Sequence, residues 1–347
     1  MKQYHWFPLP AVTLMAFMVT LPFWACTTSA EEGAGLSQKY CASCHEYPEP
    51  SLLQRDIWTR SILPEMGLRL GIGDKNTVLS RMSFKQFDHL NKLGIYPDNP
   101  VLTSSEWKAI VAYYTENSPQ TIPAQARKEQ PVKGGAIFEP EAIPNEPGEN
   151  SQTTMVRFVP SRKEFWLGNR QNNIRVFDIS GKMKLKFHTP SPVVDAIASE
   201  ESVFLSIGNM LPNEDRNGRL FSMDHKGSKA KLILDSLHRP VQVVKFDFDQ
   251  DGTADWVIAE FGWETGQLRM FNGKSGATSI LSNQPGARNI ILKDLNRDGL
   301  QDLLVLFAQA REQVSCFYNK GHGEFEEKTL LKFSSVFGSS FLEMADM

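Results

Sequence analysis

The sequence predicts two unlike domains, a small all-α unit at residues 34–118 and an all-β propeller of about four blades at 151–347. Two observations carry this. Apolar residues recur at helical spacing near both ends of the first segment. In the second, a turn signature returns at positions 178, 224, 272 and 319 among short strands, a period that fits one four-stranded blade. Composition agrees: 347 residues suffice for two domains, and 41% hydrophobic with 22% charged residues is the balance of a packed protein. With 37 basic against 40 acidic residues and a net charge of -3, the slight acidity argues against a surface for nucleic acid or an anionic membrane. Four cysteines are too few for a disulfide scaffold.

Residues 1–25 read as a signal peptide. Lys2 is their one charged side chain, and the apolar run from Phe7 to Ala25 is broken by Pro8, Pro10 and Pro22. A spanning helix needs about 20 apolar residues and is poorly served by three prolines, so an export signal is the better reading. Two cleavage points fit. Phe23-Trp24-Ala25-Cys26 resembles a bacterial lipobox, which would make Cys26 a lipidated first residue and a membrane anchor. Thr28-Ser29-Ala30 fits ordinary secretion, and an uncleaved anchor is the third alternative. All three place the remainder outside the cytoplasm, in the periplasm or at the outer membrane or cell surface of a bacterium.

Cys41-Ala42-Ser43-Cys44-His45 matches the C-x-x-C-H attachment signature of a c-type haem, in which two thiols form thioethers and the adjacent imidazole binds iron. A zinc site would need further Cys or His ligands, and the other cysteines downstream of the apolar run are Cys26 and the distant Cys316. The flanking helices follow from pattern. Leu36, Tyr40 and Cys44 recur at helical spacing and bring a first helix into the motif. Thr103 and Glu106 stand at capping-box spacing before Trp107, Ile110, Val111 and Tyr114, which share one face of a second helix. This arrangement resembles class I cytochrome c over about residues 34–118, and the resemblance implies terminal helices packed beside a haem.

For the second axial position the spacing leaves alternatives. Trp58, Ile62 and Met66 are four apart and share a helical face, with Pro64 set to bend or end that helix. The stretch Trp58 to Gly71, WTRSILPEMGLRLG, resembles the W-x3-hydrophobic-Pro-x-Met segment of cytochrome domains fused to repeat propellers; by that resemblance Met66 is the ligand. Met82, in an apolar stretch with Leu79, Leu90 and Leu93, is the runner-up. His89 would give bis-histidine ligation, and an open iron is the last alternative.

Six prolines between Glu116 and Asn150 mark residues 119–150 as a linker. Beyond it, Glu164 to Leu167, Ile174 to Phe177, Val203 to Ile207 and Trp256 to Ala259 read as strands, and no long helix is apparent. The recurring turns are Phe177-Asp178 before Gly181, Met223-Asp224 before Gly227, Phe271-Asn272 before Gly276 and Tyr318-Asn319 before Gly321.

Two repeats carry an acidic loop. Asp247, Asp249, Asp251 and Asp255 around Gly252 are matched by Asp294, Asn296, Asp298 and Asp302 around Gly299. Alternating side-chain oxygens on a glycine turn can surround a hard cation such as calcium. The EF-hand template fails, because its bidentate Glu would fall on Ile258 or Val305. A metal-free Asp/Gly turn is the alternative. The loops resemble FG-GAP or VCBS-type repeats, helped by Phe261-Gly262 and Phe337-Gly338; that resemblance implies two calcium sites, with Thr253 and Leu300 giving backbone carbonyls.

His188, His225, His238 and His322 read as surface or turn histidines, and Cys316 as a buried structural thiol. Together these readings imply an exported electron-transfer protein with one covalent haem c, whose propeller docks a redox partner protein or an extracellular polymer. A haem-relaying oxidoreductase and an adhesion or scaffold protein are the competing classes. The segment FLEMADM, Phe341 to Met347, resembles the strands entering Asp247 and Asp294, so Asp346 reads as the start of a third acidic loop in a longer propeller.

Overall fold

The computed structural model describes residues 29–80, 82–122, 124, 152–224, 227, 229–335 and 337–345. Residues 1–25, which read as an export signal, together with Cys26, most of the proline-rich segment, His225 and Asp346, lie outside the described residues.

The N-terminal unit is helical. Helix α1 (Ser29–Cys41) runs into the C-x-x-C-H motif and packs against α4 (Ser104–Asn117). The two backbones meet at Gly33, where a Cβ would stand 2.3 Å from the carbonyl oxygen of Ala109, so glycine sets how close the helices come. Thr103 and Glu106 form the capping box that the sequence signals. Ile110 and Tyr114 of α4 are fully buried in one core with Trp58, Leu63 and Leu102.

Between these helices, a helical segment opens at Arg55–Ile57, widens into a π-turn over Trp58–Ile62 and continues as α2 (Leu63–Arg69). Pro64 does not end it before Met66. It lies at the start of α2, directly after the π-turn, where Leu63 N–H bonds to the Trp58 carbonyl five residues back and the wider turn accommodates a residue without an N–H. Helix α3 (Phe84–Lys92) begins at a Ser83/Gln86 capping box, and its Leu90 packs with Leu68 and Tyr96 in a separate small core.

Residues 153–332 form four antiparallel sheets, each a four-stranded meander. They are β1 (Thr153–Val159), β2 (Glu164–Asn169), β3 (Asn173–Asp178) and β4 (Met183–His188); β5 (Val193–Ile197), β6 (Ser202–Ser206), β7 (Gly218–Met223) and β8 (Ala230–Leu237); β9 (Pro240–Phe246), β10 (Asp255–Glu260), β11 (Gln267–Phe271) and β12 (Thr278–Ser282); β13 (Ala287–Lys293), β14 (Asp302–Phe307), β15 (Gln313–Asn319) and β16 (Phe325–Lys332). Consecutive four-stranded meanders are the blade unit of a β-propeller. Every turn that recurs in the sequence joins the third strand of a blade to the fourth, and Gly181, Gly227, Gly276 and Gly321 all adopt positive φ there.

Neighbouring blades face each other through shared cores. One face of the second blade gives Phe204 and Phe221 to a cluster with Trp166 and Val176 of the first, while its other face gives Leu205 and Leu220 to a cluster with Val243 and Ile258 of the third. Strands buried on both faces read as continuous apolar runs, as DLLVLF in β14 does.

The first strands of all four blades line a common cavity of about 500 Å³. A hydrogen bond repeats between them. Asp195 of β5 accepts from the Val243 amide at 3.0 Å, and Gln242 of β9 accepts from the Ile290 amide at 2.6 Å. Asn289 of β13 accepts from the Leu342 amide at 3.0 Å. Leu342 thus takes the place beside β13 that β13 takes beside β9.

Candidate functional site

A cavity of about 220 Å³ in the helical unit brings the motif and the π-turn segment together. Cys41 and His45 enter from the end of α1 and the loop that follows, Tyr114 from α4, and Trp58, Ile62 and Met66 from the helical segment. The four-residue spacing of the last three thus puts all of them on the cavity wall. Trp58 Nε1 donates to the Pro50 carbonyl at 2.9 Å, and the Tyr114 hydroxyl, close to the Cys41 thiol, donates to the Pro48 carbonyl at 2.7 Å. Their rings meet at 4.6 Å between centroids and leave the cavity an apolar lining.

The donor set fits a covalently attached haem. Cys41 and Cys44 are free thiols, the first half-buried with its pKa pushed up by burial and the second exposed. His45 Nδ1 lies 2.7 Å from the Glu46 carbonyl. With the proton assigned to Nδ1, Nε2 carries the lone pair that a metal needs. The other axial candidates do not line the cavity. Met82 packs in the core of Leu68, Leu90 and Tyr96, and His89 is exposed on α3.

The two acidic loops, joining β9 to β10 and β13 to β14, fold alike. Asp247 accepts from the amides of Asp251 at 3.1 Å and Gly252 at 2.9 Å. Asp294 accepts from Asp298 at 3.2 Å and Gly299 at 2.9 Å. Asp249 and Asn296 each accept from the same following amides, those of Asp251 and Asp298. Asp251 and Asp298 then accept from the amides of Thr253 and Leu300. Carboxylate oxygens of Asp247, Asp249 and Asp255 lie within 4.8 Å of one another, close enough to share one ion.

Asp255 and Asp302 have a second task. Asp255 is fully buried and accepts from the Phe248 amide at 3.0 Å and the Gly273 amide at 2.9 Å. Asp302 repeats the pattern with Leu295 at 2.8 Å and Asn319 at 2.9 Å. Each carboxylate ties the acidic loop to the turn between the third and fourth strands of its blade. Burial, with Asp249 and Asp247 nearby, pushes the Asp255 pKa up, although the two amides work against this.

One histidine departs from its sequence reading. His238 is buried rather than superficial, with Nε2 3.6 Å from the Glu214 carboxylate and Nδ1 3.3 Å from the Thr265 hydroxyl. Burial outweighs the Glu214 charge and holds its pKa below the ordinary histidine value. The partners come from connections 24 residues before and 27 after it, so no local pattern exposes them. Cys316 is fully buried in a core with Leu304, Leu306 and Val314, as read from the sequence.

No family model and no curated protein sequence matches the chain. Similar solved structures include the Neurospora crassa Pan2 WD40 domain, at 11% identity over 51% of this chain and 49% of that one, with a TM-score of 0.35. The Dos1 propeller gives 11% identity over 51% and 47%, with a TM-score of 0.37. The Myceliophteria thermophila Cps50 (Swd1) β-propeller domain gives 11% over 54% and 60%, also at 0.37. The chain spans about half the length of the first two. The propeller assignment therefore stands on the four meanders and their repeated junctions.

Proposed function

We propose that this chain is an exported electron-transfer protein carrying one covalent haem c in its helical unit. The observation that carries the reading is that Cys41, His45 and Met66 line one apolar cavity although Met66 lies 21 residues beyond His45. Cys41 and Cys44 would hold the porphyrin, and His45 and Met66 would ligate iron in a cytochrome c-like manner. A bound haem with both axial positions filled supplies reversible one-electron transfer and leaves no site for substrate. Trp58, Ile62 and Tyr114 would exclude water from it.

The propeller, of FG-GAP or VCBS type, would dock a redox partner protein or an extracellular polymer. Calcium at Asp247, Asp249, Asp251, Asp255 and the Thr253 carbonyl, and at the matching Asp294, Asn296, Asp298, Asp302 and Leu300, would stiffen two of its blades. Export would follow from residues 1–25, with Cys26 as the lipid anchor if the lipobox is used.

The test is expression with export in a host that matures c-type cytochromes. Haem stain should survive on a denaturing gel and disappear in Cys41→Ala with Cys44→Ala. A stain-free wild type from such a host would refute the reading.

A further inference from the structure

Two propeller connections grip the helical unit at α2 and α3. The turn between β10 and β11 is fixed from every side. Gly262 sits at φ +63°, and a Cβ there would stand 1.7 Å from the Thr265 carbonyl oxygen, so no other residue fits. Glu214, from the β6–β7 connection, accepts from the Glu264 amide at 2.8 Å and the Thr265 hydroxyl at 2.6 Å. Arg239 donates to the Gly262 carbonyl. The Glu264 side chain leaves this rigid frame and meets the Arg69 guanidinium at 2.5 Å, with both side chains largely shielded from water at 15% and 25% exposure. Arg69 also pairs with Glu65 at 3.3 Å and lies 5.9 Å from the Trp263 ring centroid. Asp215, next to Glu214, makes the second contact by accepting from Gln86 of α3 at 2.8 Å.

Arg69 closes α2, three residues after Met66 and so within one helical turn of it. A seven-residue helix has little stability of its own, so its position is set by what it packs against. Its N-terminal end continues into the π-turn; at its C-terminal end Leu68 and Leu70 pack in the helical unit's own cores, while Arg69, on the other side, is held by the propeller.

We propose that Glu264 is a positioning residue for Met66, and that the propeller, through Arg69, governs how firmly the iron's sixth position is held. This rests on Met66 being the axial ligand. The propeller then acts on the haem site as well as docking partners: a molecule that loosens the β10–β11 turn would loosen the thioether.

The test uses the full ferric protein and imidazole, which reaches iron only when Met66 is displaced. Its apparent Kd is the intrinsic value divided by the displaced fraction. Glu264→Ala should tighten imidazole binding about tenfold, the size expected for one shielded, charge-assisted hydrogen bond. The exchange variant Arg69→Glu with Glu264→Arg should return it to within about threefold of wild type, which a nonspecific loss of packing would not do. If Glu264→Ala does not fold, Arg69→Gln removes the same pair and carries the same expectation. Unchanged imidazole affinity in a wild type and variant that both show the sulfur-to-ferric-iron band would overturn the inference alone. A haem-bearing wild type without that band would overturn the ligand assignment itself.

Discussion

Replacing Asp255 separates a brace from a metal ligand. The fully buried carboxylate satisfies the Phe248 amide, whose residue is fully buried, and the Gly273 amide, which lies at an exposed turn. In Asp255→Ala the first donor is stranded, at about 1–3 kcal/mol. Water can reach the second, so its loss costs about 1 kcal/mol, the net value of one hydrogen bond. The total of roughly 2–4 kcal/mol corresponds to a fall of about 5–15 °C in the melting temperature of a domain near 200 residues. Asp255→Asn keeps the shape and one acceptor and should lose about half as much. Thermal melts of the full protein with calcium and with a chelator form the assay. The brace predicts that the loss in Asp255→Ala persists in chelator. Asp249 is half-buried and accepts from the Asp251 amide at 3.1 Å and from Asn272 Nδ2 at 2.7 Å, so Asp249→Ala should lose some stability in chelator and clearly more when calcium is present, because ligand binding stabilises only the folded state. An Asp255→Ala protein that melts like wild type in chelator would refute the brace.

Met66→Ala should abolish the sulfur-to-ferric-iron absorption band and lower the reduction potential, whereas Met82→Ala, altering a core away from the cavity, should leave both unchanged. Spectra and a redox titration of the two variants decide this. Burial opposes the ionised form of Glu164, but its bonds from the Lys184 ammonium and Trp166 Nε1 prevail and hold its pKa below the ordinary 4.5. Its stabilisation is therefore complete above the unfolded value and is lost as pH falls through the lowered folded value. Denaturant titration should find Glu164→Gln weaker by about 1 kcal/mol at pH 7, since Lys184 is half exposed, with the gap closing through that acidic window.

The architecture was legible where one segment contains its own information. The turns at 178, 224, 272 and 319 gave the blade period because each hairpin needs an Asx acceptor and a glycine at positive φ within a few residues. The Thr103–Glu106 box and the 58–62–66 spacing were equally local. Of the two effects expected of Pro64, a bend or an end, the helix does not end there, and the irregularity takes the form of a π-turn just before it. His238 escaped because Glu214 and Thr265 reach it from different connections. Asp255 showed its acidic spacing in sequence but not its bond to Gly273, 18 residues on. The Arg69–Glu264 contact spans 195 residues and leaves no periodic trace.

The junction repeated between first strands makes each blade both a plug and a socket. Asp195, Gln242 and Asn289 recur every 47 residues; the first two receive an amide from the next blade's first strand, and Asn289 receives that of Leu342, in the segment after β16. Three different side chains serve, so the joint specifies an acceptor at a fixed address and not a residue type. The first joint is wired the other way, since the Thr154 hydroxyl donates to the Val193 carbonyl. Length changes are therefore permitted in the outer loops and forbidden in β5, β9 and β13, where one inserted residue would turn the acceptor to the opposite face of its sheet. A whole third blade could be copied and inserted beside the original with every joint already provided, whereas the first blade could serve only at the head of the row.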